Sequence, residues 1–153
     1  MEATDPPWPQ ILDRFGMNPV DLEPVSQFVL LHALLDQWLI NALALHDTVA
    51  SAPQTQKDVD TLVDGFIEQH SQGTFGKRLD LVRRLALLSE DHLATCEEMN
   101  RARNYFLHWK QGRFEVPRYR GDDVRQSGVL EQCLRDVNDV VVALDRALRV
   151  RRG

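Results

Sequence analysis

The sequence predicts an all-α fold, a single-domain antiparallel bundle of about five helices. Three observations carry that expectation. Apolar residues recur at three- and four-residue spacing over most of the chain, the mark of helices with a buried face. No stretch shows strand alternation. The periodic segments are parted by short runs containing Pro or Gly, and short connections favour antiparallel neighbours. With 153 residues, 43% of them hydrophobic, the chain is one domain's worth and can fill a core.

Residues 1–20 read as a Pro-rich N-terminal arm, and residues 21–150 as the helical bundle domain. Pro6, Pro7 and Pro9 around Trp8 exclude a helix interior there. "ILDRFG" adds one short helical turn ended by Gly16. A first long helix is expected from about Asp21 to Val49. Its apolar stripe, Val25 through Leu35, Trp38 and Leu43 to Leu45, is too wide for a surface helix, so it should be central. After "SAPQTQ", a second helix runs from about Lys57 to His70. A third covers about Phe75 to Leu88, with Lys77, Arg78, Arg83 and Arg84 facing out. Ser89 suits an N-cap, and Glu90 and Asp91 suit the positive end of a fourth helix reaching about Lys110. "QGRFEVPRYRGDD" reads as a loop. A last helix runs from about Val124 to Arg149, before a frayed basic tail.

A net charge of -5 argues against a protein that coats nucleic acid. The charge is uneven, however. Residues 101–125 hold seven basic and three acidic side chains, so that segment is +4 and the remainder -9. The N-terminus lacks the basic start and apolar run of a signal peptide. The longest apolar stretch is interrupted by His32, Asp36, Gln37 and Asn41, against a membrane span. Cys96 and Cys133 belong to no ligand-spaced cluster and read as core thiols. The expected setting is cytoplasmic, with no membrane partner. No metal or cofactor is expected, because no phosphate loop, HExxH or nucleophile elbow is present.

Two groups of polar residues stand out. His32 and Asp36, four apart on the first long helix, share a face and read as a buried histidine bonded to a carboxylate. His46, His70 and His92 fall near helix ends, where surface placement is the default. The second group is "RARNYFLHWK", residues 101–110. On a straight helix Asn104 and His108 lie about 40° apart, whereas Arg103 is about 140° from His108. A histidine can move protons near neutrality, and an arginine fork can hold a phosphate at two points. Together they form a minimal kit for cleaving RNA through its own 2′-hydroxyl. The plain alternative is a helix-capping histidine with a solvated arginine rim.

"RNYFLH" resembles the signature of the HEPN superfamily, an Arg, then four to six residues, then His, with a polar residue, often Asn, directly after the Arg. The wider stretch "GTFGKRLDLVRRLALLSEDHLATCEEMNRARNYFLH", residues 73–108, looks like HEPN-like relatives of the mannitol operon repressor. The resemblance implies a helical bundle acting as a homodimer, with two Arg/His motifs meeting at one cleft. It implies a metal-independent endoribonuclease of the toxin or defence type, with Arg103, Asn104 and His108 as the catalytic set. Arg101, Lys110 and Arg113 would hold RNA backbone, and Asp36 or His32 would orient His108. Lys110 stands where some HEPN toxins carry a Tyr. Other members are non-catalytic, and the alternative is a regulatory or interaction module, a transcriptional regulator or an antitoxin-like partner.

Overall fold

The computed structural model describes residues 10, 13, 19–107 and 115–152. The Trp8 arm, His108, Lys110 and Arg113 lie outside the described residues. A 3-10 turn, Pro19–Asp21, leads into five α-helices: α1 Leu22–Ala50, α2 Gln56–Ser71, α3 Phe75–Arg84, α4 Glu90–Leu107 and α5 Val129–Arg152. An all-α bundle is therefore what the periodicity builds.

Helix α1 is central and packs against all four other helices. Phe28, Leu35, Leu39 and Leu43 are fully buried on it. They meet Val82 of α3, Leu93, Cys96 and Met99 of α4, and Cys133, Val140 and Leu144 of α5. Each such side chain contributes about 1.5–3 kcal/mol by leaving water. By length and composition α1 could cross a membrane, but the other helices cover much of its apolar surface. That cover is incomplete, because Leu30, Leu34 and Trp38 remain exposed.

The starts of the middle helices are fixed by side-chain caps. Thr55 Oγ1 accepts from the Asp58 amide at 3.1 Å, and Thr74 Oγ1 accepts from the Lys77 amide at 3.2 Å. Ser89 Oγ, the cap expected from the sequence, accepts from the His92 amide at 3.3 Å. Each satisfies an amide that has no partner inside its helix.

Several features differ from the sequence expectation, three of them for a visible local reason. Helix α3 stops at Arg84, not Leu88. Ala86 takes a left-handed conformation, φ 52°, while the amides of Leu87 and Ala86 donate to the carbonyls of Val82 and Arg83. This is a Schellman termination with alanine where glycine is usual, so no residue type announced it. The segment read as a loop contains a small hairpin, β1 Arg118–Tyr119 and β2 Asp122–Asp123, paired antiparallel with Tyr119 opposite Asp122. Arg120 (φ 50°) and Gly121 (φ 85°) turn it, as a two-residue hairpin turn with both central residues left-handed requires. Finally, α5 begins at Val129, not Val124. Asp123 Oδ1 accepts from the Arg125 amide at 2.8 Å and holds a turn that competes with helix. The basic end of α5 continues helical to Arg152, beyond the expected frayed tail.

Candidate functional site

The site grows from the crossing of α1 and α4. His32 of α1 is 4% exposed, with its ring 4.8 Å from that of Phe75. The partner expected for it, Asp36, is engaged elsewhere. His32 Nε2 instead donates to Oδ1 of Asn100 on α4, at 3.4 Å. Burial, and next the positive charge of Arg103, hold the His32 imidazole below its ordinary value, which keeps it neutral. Asn100 was not singled out from the sequence. Its signal was its place one turn before Asn104, on the same side of α4.

Asn100 lies about 60° from Arg103 and about 40° from Asn104 around the α4 axis, so it sits between them. Arg103 lies near enough to His32 for its charge to act on the imidazole. Asn104, about 100° around α4 from it, lines an open groove of about 520 Å³ between α3 and α4. Gly76, Leu79, Asp80 and Arg83 form one wall of this groove, and Glu97, Asn100, Arg101 and Asn104 the other. Arg83 closes one end by bonding Glu97 Oε1 at 2.5 Å. Arg101 is exposed and pairs with Glu98, whose other oxygen accepts from the Arg120 amide at 3.3 Å. Two of the expected catalytic residues, Arg103 and Asn104, thus flank a half-buried Asn100 bonded to the buried His32.

Arg78, expected to face out, is 6% exposed. Its Nε and Nη2 donate to the two oxygens of Asp36 at 2.7 and 2.8 Å, and its Nη1 donates to the carbonyls of His70 and Gly73. The sequence did carry a signal, because Arg78 falls three after Phe75 and four before Val82, inside the apolar stripe of α3. His70 is also buried rather than superficial, with Nε2 2.6 Å from Asp47 Oδ2. Asp36 therefore serves the joint between α1 and α3.

Both cysteines are buried and free, and burial pushes each thiol up to about 12, so they are poor nucleophiles. Among the described residues no three metal-ligating side chains come together.

The neutral His32 sets a pH dependence. Its folded-state value lies below the unfolded 6.5, so the unfolded chain binds the proton more readily. The stability gained by keeping it neutral is complete above pH 6.5 and is lost as pH falls below that. Thermal melts of wild type should therefore lose more stability between pH 7 and 5 than melts of His32→Gln, which keeps a donor for Asn100. Equal losses would remove this account. Asp123, lowered by its bond to Arg125, loses its contribution only in the acid carboxylate range and does so in both proteins.

Comparison with known proteins returned nothing: no family model, no curated protein and no solved structure matches this chain.

Proposed function

We propose that this chain is a HEPN-type, metal-independent endoribonuclease acting as a homodimer, with Arg103, Asn104 and His108 as its working set. One observation supports the reading most. Of the lysines and arginines with described side chains, all are exposed except two, Arg78, which is buried, and Arg103, which is half-buried. Arg78 is paired with a carboxylate, and among the described residues none pairs with Arg103. A half-buried guanidinium with no paired acid among the described residues, near a histidine held neutral and two asparagines, is suited to receive an anion.

In this reading the anion is the scissile phosphate of RNA. His108 takes the proton of the 2′-hydroxyl as its oxygen attacks phosphorus. The bond to the 5′-oxygen breaks, and that oxygen takes up the proton that His108 carries, which returns the imidazole to its neutral form. Arg103 steadies the added charge on the phosphorane. The products are a 2′,3′-cyclic phosphate and a free 5′-hydroxyl. Purified protein should cut single-stranded RNA in EDTA and leave cyclic phosphate ends. Arg103→Ala should slow the reaction by roughly 10²–10³, the usual loss when one charge-stabilising donor is removed. Failure to cut any of a varied set of RNAs would sink the proposal.

A specific observation favours the second reading, an interaction module. Leu30 and Leu34 of α1 and Leu134 of α5 are 60%, 51% and 58% exposed and line an apolar groove with Leu31 and Leu130. Exposed apolar surface of this kind marks contact sites. Leu30 and Leu34 each lie about 160° around α1 from His32. This face is therefore separate from the Arg103 site and does not by itself bring two such sites together.

A further inference from the structure

We propose that the α3–α4 groove is a nucleobase subsite, seating one base of a single-stranded RNA whose phosphate lies at Arg103. The proposal rests on the reading of that site as RNA-cleaving and adds where the substrate is read. The two helices run antiparallel from the Ala86 turn, so the groove is shut at the Arg83–Glu97 end and opens at Gly76 and Asn104. Arg103 does not line the groove; it stands one residue before Asn104, about 100° around α4, so the phosphate and the base would occupy neighbouring faces of that helix.

The lining suits a base better than a bare phosphate. Leu79 gives the floor an apolar contact. The carboxylates of Asp80 and Glu97 are both held by the single guanidinium of Arg83, so the closed end is net anionic and disfavours a bare phosphate. Two side-chain amides face the open part. Asn100 has its Oδ1 engaged by His32, so it offers the groove N–H donors. Asn104, one turn on, offers both a donor and an acceptor. A planar ring with donors and acceptors on its edge matches this set, and single-stranded RNA presents such edges unpaired. Gly76 lines the mouth, and a Cβ built there meets nothing within 4 Å, so a larger side chain has room at the mouth without striking the protein.

That glycine supplies the test. Gly76→Leu adds bulk at the mouth and replaces a poor helix former by a good one, so it should melt no lower than wild type. Gly76→Met repeats the experiment with a more adaptable chain. The full-length protein is titrated with a 2′-O-methyl RNA hexamer, which cannot be cut through its 2′ position, and with an abasic sugar-phosphate oligomer of equal length. Wild type should bind the hexamer more tightly. Both Gly76 variants should weaken the hexamer roughly tenfold, the scale of one base contact, and leave the abasic oligomer unchanged. Arg103→Ala should weaken both ligands. If the Gly76 variants bind the hexamer as wild type does while Arg103→Ala weakens it, the base subsite is overturned and the phosphate site survives. If Arg103→Ala changes neither ligand, the phosphate site falls and the subsite with it.

Discussion

Arg78→Ala should cost about 3 kcal/mol of stability, the lower end of the 3–5 kcal/mol typical when one partner of a buried ion pair is removed. The lower end applies because the Asp36 side chain is 25% exposed, so water can partly replace the guanidinium. In a chain of this size that shift lowers the melting midpoint by about 6–12 °C. The loss is large because four bonds go at once: two to Asp36 and one each to the carbonyls of His70 and Gly73. Arg78→Lys should recover little, since an ammonium cannot match the carboxylate fork and reach both carbonyls. Replacing the pair by Met and Leu should cost less than Arg78→Ala alone, because no charge is then left without its partner. Urea unfolding followed by circular dichroism measures all three. The consequence reaches the site. Asp36 is one turn beyond His32 on α1, and Phe75, which packs on His32, is one turn before Arg78 on α3. Loosening this joint moves the α3 wall of the groove.

The bundle was legible because apolar periodicity is a property of single helices, and five of them announce themselves. Thr55, Thr74 and Ser89 mark helix starts by residue type alone. The features that escaped depend on partners distant in sequence or on unusual residues in familiar turns. Arg78 looked like one of four surface cations because its partner is 42 residues away. Its position within the Phe75–Val82 stripe was the only hint. Asp36 looked like the partner of His32 because i, i+4 spacing places them on one face. Spacing cannot report that an arginine from another helix binds the carboxylate more strongly than a histidine would. Ala86 occupies a position where glycine is the recognisable signal. At the site, the sequence placed Arg103 and Asn104 on different sides of α4, and so they are. It did not show that Asn100 stands between them or that His32 holds it. The motif's last member, His108, lies outside the described residues.

If the chain is the ribonuclease dimer proposed above, Arg103→Ala and His108→Ala should each lose nearly all cleavage, yet a mixture of the two variants should regain about a quarter of wild-type activity where the site is shared between subunits. The reasoning starts from the α4 geometry. Arg103 lies near enough to His32 of α1 for its charge to act there, and on a straight helix it is about 140° from His108. A working site needs guanidinium and imidazole on the same phosphate, within hydrogen-bond reach of it. Either the chain bends after Leu107, or the arginine of one subunit serves the histidine of the other. In a shared site, a mixed dimer pairs the intact Arg103 of one chain with the intact His108 of its partner and restores one site of two. Random reassortment makes about half the dimers mixed, hence about a quarter of the activity. In a site built within one chain, every mixed dimer lacks Arg103 in one subunit and His108 in the other, and mixing restores nothing. The variants are unfolded together, refolded as a mixture and assayed for cyclic phosphate ends in EDTA. Each alone should fall by roughly 10²–10⁴, so a return to a quarter stands far above background. A mixture as inactive as its parts, with each variant folded and dimeric, would place the whole reaction within one chain and require a bend beyond Leu107 to bring Arg103 and His108 together.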